Sequence, residues 1–566
     1  MPRLVPLHVA MLYTVVPVCT FASIATLATQ FEKSYMRLGG RILRLGGLSG
    51  LTERLIPQWN PANAGREQPQ HPRSSIKSLL GWPPEQVVRE TAWLDGLRGV
   101  AAFLVMTYHL HLLLFYGLSL EAPYGATVQN KYNEAAGPES VREFWRLPII
   151  RIWMCSGPVQ VSIFFVLSGL VLSWSPMESI RTGKQEKLAA SLSSAIFRRW
   201  FRLYLPCFAV ALWHFLGLRI GLQTDASRER LDGFWAQLWD FLAASERYAN
   251  PFNINRDQFN SLHDYDWTMW TIPFEYSGSL LVFVICLATS RTKTYWKRTL
   301  LILTVATYAC LRAEWAFWLF ATGVLLSNYI RHNGGFEALS RTQGRQSTVA
   351  WSIAMICSLL LVGYPSTGEE YDRPGYEWMT SLIPRNWMPI EEGARLWWCW
   401  AGVLFVISAS HLRFVRKVFE LSFPRYLGRV SYMLYLTHRS VLAVVCKPLK
   451  KVLFAASGRG RFLDYGKDRG TLHHDVTTLC VYVLIFMIIV PLAIVVAHAC
   501  EVLIDRPSVR FAKRIDEWIV QDRRSDQGGS GQSGVAESDE AVPLTADIEL
   551  TETSEELKDR DRPGLV

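Results

Sequence analysis

Apolar runs of about twenty residues, separated by polar connections, recur along the chain from about residue 90 to 515. Roughly ten of them are centred near residues 108, 166, 212, 281, 304, 323, 357, 404, 438 and 488, and an eleventh covers about Leu4 to Thr29. A run of this length with few charges spans the hydrocarbon of a bilayer as one helix, which satisfies its own backbone hydrogen bonds there. The pattern predicts an all-α fold, a polytopic transmembrane bundle of about ten core helices with a further helix over residues 1–30. That N-terminal run is read as a retained span rather than a cleaved signal peptide. Only Arg3 precedes it, and it exceeds the usual signal core.

The polar stretches set the domain limits. Residues 31–89 join a basic, partly amphipathic segment containing Arg37, Arg41 and Arg44 to a Pro-rich linker. The core runs over 90–515, with two sizeable outward connections near 119–157 and 223–271. Residues 516–566 turn Gly/Ser-rich and then acidic, a composition that buries too little apolar surface to fold alone, so they read as a disordered cytosolic tail.

Charge refines this reading. The 566 residues are 50% hydrophobic and 19% charged, with a formal net charge of +10. The excess does not indicate nucleic acid, because the basic residues cluster in alternate connections. Ser175–Arg202 and Arg291–Arg298 are rich in Lys and Arg, whereas the connection holding Glu369, Glu370, Asp372 and Glu377 is acidic. This alternation follows the positive-inside bias and puts the basic connections in the cytosol; the basic stretch 447–475 runs against it. An integral, multi-pass location follows, with endomembrane and plasma membrane both open. The ten cysteines are scattered singly and read as packing residues. His473 and His474 beside Asp475 lack metal-ligand spacing, and no metal or permanently bound cofactor is expected.

Candidate chemistry sits in Leu94-Asp95-Gly96-Leu97-Arg98-Gly99, followed by His109. Eleven positions separate Arg98 from His109, so both lie on one helix face about 16 Å apart along the axis. Ionisable groups in a span are costly and indicate function by default. His109 is a candidate general base, or a packing histidine; Arg98 is a functional candidate by default, or an interface anchor that snorkels to headgroups. His111 points elsewhere. Arg199 and Arg202, three apart at a cytosolic helix mouth, are neighbours able to grip phosphates bidentately, or ordinary interface anchors. Glu275, at the outer edge of a span, would orient a histidine or an acceptor, or simply face water. His438 reads as a helix-packing histidine.

Taken in order, these segments resemble the acyltransferase-3 family of multi-pass membrane O-acyltransferases, in wording closest to fungal members. The resemblance rests on Leu94 to Gly99 with His109, on Phe164-Phe165-Val166-Leu167-Ser168-Gly169, and on Arg199-Trp200-Phe201-Arg202 with Pro206. It continues through Trp270 to Glu275, Gly428 to His438, and Ile504-Asp505-Arg506-Pro507, covering about residues 90–510. It implies transfer of an acyl group, commonly acetyl, from acyl-CoA to a hydroxyl of a glycan, glycolipid or secondary metabolite. It also implies essential roles for Arg98 and His109, a carboxylate role for Glu275, and an arginine pair at Arg199 and Arg202 for the donor. A transporter using the same buried charges and a membrane scaffold recruiting partners through its tail are the rival classes.

Overall fold

The computed structural model describes residues 89–115, 121–128, 139–222, 228–251, 263–365, 372–458 and 476–525. The predicted N-terminal span, the linker up to residue 88, the His473-His474-Asp475 stretch and residues from 526 lie outside them. The chain divides into two units, Met1–Arg89 and Glu90–Val566, and every helix named below belongs to the second.

The described residues are nearly all helical. Long helices are α1 (Ala92–Phe115), α2 (Gly157–Thr182), α3 (Gln185–Arg219), α4 (Phe234–Ala249), α5 (Ile272–Thr289), α6 (Tyr295–Leu311) and α7 (Trp315–His332). They continue with α8 (Arg345–Val362), α9 (Ala394–His411), α10 (Arg413–Phe419), α11 (Ser422–Val441), α12 (Lys447–Ala456), α13 (Val476–Cys500) and α14 (Arg506–Ser525). Among the described residues one antiparallel pair of strands, β1 (Thr127–Val128) with β2 (Glu139–Ser140), lies in the connection between α1 and α2. Among the described residues six helices are long and apolar enough to cross a membrane, or seven if the bent pair α9–α10 forms one span. The protein is an integral membrane protein. Exposed apolar rows such as Val349, Ile353, Ile356 and Leu360 on α8 suit contact with lipid.

Local sequence sets the ends of these elements. Pro158 opens α2, where its missing N–H is no loss, and Gly183 closes it at φ 75°, a left-handed cap. α3 has 35 residues, or about 52 Å at 1.5 Å per residue, well beyond the ~30 Å of bilayer hydrocarbon. Its first turns are accordingly amphipathic, with Leu188 and Leu192 buried and Glu186 and Lys187 exposed. The 103° bend between α9 and α10 is held by Arg416, which is buried and donates to the Ser410 carbonyl at 2.5 Å and to Ser340 Oγ at 2.9 Å.

α1 packs chiefly on α11 and α2, α2 on α7 and α9, and α13 on α11. Two glycine pairs permit close backbone approaches. A β-carbon on Gly99 would stand 2.2 Å from the Gly428 nitrogen, and one on Gly428 2.2 Å from the Asp95 carbonyl oxygen. Gly169 and Gly323 do the same for α2 and α7, with β-carbon positions 2.2 and 2.3 Å from the carbonyl oxygens of Phe320 and Val166. α14 runs to Ser525, so the helical core extends past the limit near 515 set by composition. The basic and acidic residues of 516–525 made a polar tail of what is one end of an amphipathic helix docked on α3.

The second outward connection carries α4, docked by polar contacts. Arg228 binds Asp240 through two nitrogens at 2.7 and 3.1 Å, and Tyr265 donates to the same carboxylate at 2.8 Å. Burial works to raise the Asp240 carboxyl, but the bonds from Arg228 and Tyr265 outweigh it and hold it below the usual carboxylate range. Burial pushes the Tyr265 phenol up to about 12.

Candidate active site

The close contact of α1 and α11 fixes the first site residue. Arg98 emerges nearly two turns into α1 and donates from Nη2 to Asp95 Oδ1 at 3.2 Å and to the Gly428 carbonyl at 3.5 Å. Its Nε is buried and has no hydrogen-bond partner among the described residues. A buried donor left unsatisfied costs about 1–3 kcal/mol, which an anion bound there would offset.

α3 brings Arg199 and Arg202 to the same place, and α5 brings Glu275. Arg199 Nη2 meets Glu275 Oε1 at 2.5 Å, and its Nε donates to Ser279 Oγ at 2.9 Å. Ser168 Oγ on α2 donates to Glu275 Oε1 at 2.7 Å. Arg98, Arg199, Arg202, Asp95 and Glu275 all line one partly open pocket, which is otherwise mainly apolar. Three guanidinium groups against two carboxylates leave an excess positive charge. A smaller pocket abuts the first across Leu172, Arg199 and Arg202, and Val509 and Ala512 of α14 close its far side.

One expectation changes here. Glu275 is not a water-facing carboxylate at an outer edge, because its side chain is only 14% exposed and is committed to Arg199 and Ser168. Its place at the N-terminus of a span suggested a rim; the length of α3 and the packing of α5 on α3 and α2 enclose it instead. Arg199 and Arg202 share the pocket, and Arg199 is paired with Glu275.

His109 does not line this pocket. It lies three turns further along α1, half-buried, with its ring centroid 5.0 Å from that of His438 on α11 and the planes inclined by 30°. The pocket reaches toward this pair through Tyr435, which accepts from Thr271 Oγ1 at 2.7 Å and donates to the Thr268 carbonyl at 2.8 Å. His438 stands on the next turn of α11. Its Nδ1 bonds the Tyr435 carbonyl at 2.7 Å, while Nε2 is buried with no partner among the described residues. The packing role read for His438 therefore accounts for one ring nitrogen only. His111, by contrast, bonds the Tyr482 hydroxyl at 2.8 Å and faces away from the pair.

Sequence reading passed over Ser168, Ser279, Tyr435 and the free nitrogen of His438. The signal was present in one case: Ser431, Tyr435 and His438 recur at helical spacing, so the stripe lining the pocket continues to the histidine. Among the described residues no cluster of His, Cys, Asp or Glu side chains is placed to hold a metal ion.

The chain matches known sequences over this same core. It is 28% identical over 404 residues to the O-acetyltransferase PaAT-1 of Phomopsis amygdali, covering 66% of this chain and 76% of that protein. It is 24% identical over 405 residues to acyltransferase R4 of a Phoma species, covering 64% of this chain and 84% of the relative. Acyltransferase clz18 of Cochliobolus lunatus is 24% identical over 397 residues, covering 62% and 82%. No solved structure matches the chain. The acyltransferase-3 family model, described as an acyltransferase domain, matches residues 91–498, from the start of α1 to the end of α13. With well over half of its length in that match, the protein belongs to the acyltransferase-3 family and is an acyltransferase.

Proposed function

We propose that the protein transfers an acyl group, acetyl in the first instance, from acyl-CoA to a hydroxyl of a glycan, glycolipid or secondary metabolite. The observation that carries this reading is the convergence of Arg98, Arg199, Arg202 and Glu275 from three helices in one pocket of excess positive charge. The named O-acetyltransferase relative supports acetyl as the group moved. In this reading ten helices cross the membrane, and the basic connections put the Arg98 end of α1 on the cytosolic side, where acyl-CoA is met.

Arg98 and Arg202 hold donor phosphates, and Glu275 aims Arg199 through its ion pair. The roughly 16 Å rise from Arg98 to His109 suits a donor whose phosphates and thioester lie at opposite ends of an extended arm. His109 takes the proton of the acceptor hydroxyl as the oxygen attacks the thioester carbon. The C–O bond forms, the C–S bond breaks, and the thiolate recovers the proton from the imidazolium to leave as free CoA.

The test is acetyl transfer by the purified full chain in lipid nanodiscs, using labelled acetyl-CoA and hydroxylated extract fractions. Label appearing in an ester with stoichiometric release of CoA thiol is the expected result. Movement of an extract component across a proteoliposome membrane without consumption of acetyl-CoA would instead make the protein a transporter.

A further inference from the structure

The histidine on α11 has a feature that helix packing leaves unexplained. Its Nδ1 lies 2.7 Å from the Tyr435 carbonyl and 3.2 Å from that of Leu434. Carbonyl oxygens only accept, so Nδ1 carries the hydrogen and Nε2 is left with a lone pair. The ring is 1% exposed, and that lone pair meets no donor among the described residues. Buried acceptors without a donor are rare in folded proteins and call for an explanation. The explanation at hand is the neighbour: the His109 ring, 5.0 Å away by centroid, has no carboxylate acting on it among the described residues and, on the acyl-transfer reading, must hold a proton during transfer.

Resting on the acyl-transfer reading above, we propose that His438 is a positioning residue for His109, supplying the hydrogen-bond acceptor for the protonated His109 ring. When the acceptor hydroxyl gives its proton to His109, the second N–H of the imidazolium turns to His438 Nε2. When the thiolate leaves, it takes the acceptor-derived proton from the other nitrogen of His109; His438 has only accepted a hydrogen bond, and both rings are again neutral. No other reactant is consumed. The role parallels the orienting third group of a nucleophile–base system, with a neutral imidazole of fixed tautomer in place of a carboxylate. A neutral partner suits this position, because a permanent carboxylate would have to be buried without a counter-charge whenever His109 is neutral. The charged groups near enough to act on the pair are Arg439 on α11 and Asp266 from the connection ahead of α5. Tyr108 flanks His109 on α1 itself.

Two substitutions separate this role from a structural one, since they keep opposite halves of the ring. His438→Gln can offer an acceptor where Nε2 stands, whereas His438→Asn can keep only the donor to the Tyr435 carbonyl. With saturating acetyl-CoA, His438→Asn is expected to lower kcat about 10²-fold and His438→Gln less than about 10-fold, both with little change in KM. In His438→Asn the acidic limb of the pH–rate profile should also move to lower pH, because the imidazolium of His109 loses its acceptor. Melting in nanodiscs checks that both variants are folded. Asn restoring activity better than Gln, or wild-type kcat with an unmoved acidic limb in a folded His438→Asn, overturns the proposal. His109→Ala without activity alongside such a wild-type-like His438→Asn removes this inference and leaves the acyl-transfer reading standing. A wild type that transfers no acyl group removes both.

Discussion

The two ends of the functional stripe on α1 handle buried polarity in opposite ways. At the Arg98 end, charge is permanent and largely matched, with Asp95 beside Arg98 and Glu275 beside Arg199. At the His109 end, the structure pairs two imidazoles and leaves a lone pair unanswered. On the proposed acyl transfer, the difference separates gripping from reacting. Holding an anion needs fixed charge that survives between turnovers, and burying such charge is tolerable only with partners in place. Moving a proton needs groups that are neutral at rest, because an imidazolium formed only in passing never has to be buried for long.

Breaking each end in turn sharpens this contrast. The largest effect is expected from His109→Ala, which should lower kcat by about 10²–10⁴-fold while leaving thermal unfolding in detergent unchanged. Glu275→Gln should do the reverse in emphasis. It strands Arg199, so unfolding is expected to be easier by about 3–5 kcal/mol, read as a lower melting temperature, with Arg199→Gln on top of it recovering much of that loss. Gly99→Ala strikes both ends together, because a β-carbon there must push α1 from α11. A loss of about 1–3 kcal/mol in stability is expected. With it should go a fall in kcat, since Arg98 and the His109–His438 contact both depend on that approach.

The smallest effect belongs to the polar cap around α4, which serves as a control outside both ends. Asp240 is held below the usual carboxylate range, so its contribution is present above the unfolded carboxyl value of about 3.9 and is lost as pH falls through the lowered folded one. Because the Arg228–Asp240 pair is partly exposed, Asp240→Asn is expected to cost about 0–1 kcal/mol at neutral pH. Amide exchange should report it as faster opening of α4 with no change in α1 or α11.

How much of this was legible depended on the range of the interaction. Arg98 and His109 were placed on one face by the helical repeat alone, a local property that needs no partner. Arg199 and Arg202 were recognisable as neighbours for the same reason. The relation between Arg199 and Glu275 was not, since 76 positions separate them and only the packing of α3 on α5 brings them together. Glu275 looked like a rim residue because hydropathy reports how apolar a segment is and not how deeply neighbouring helices enclose its end.

The same boundary divides what the sequence determined from what the tertiary structure decided. Hydrophobic patterning was enough to specify a multi-pass helical protein, and the ordered motifs from Leu94-Asp95-Gly96 to Arg506-Pro507 carried the resemblance to its family, because each is written in residues close along the chain. Which side chains share a pocket was decided by helix contacts spanning hundreds of positions. The approach of Gly99 to Gly428 is the clearest case, since it sets both the bond from Arg98 to α11 and the meeting of His109 with His438. A histidine seen alone in an apolar run is most simply a packing residue. It took the second ring, one helix away, to show that half of its hydrogen-bonding capacity had been left open.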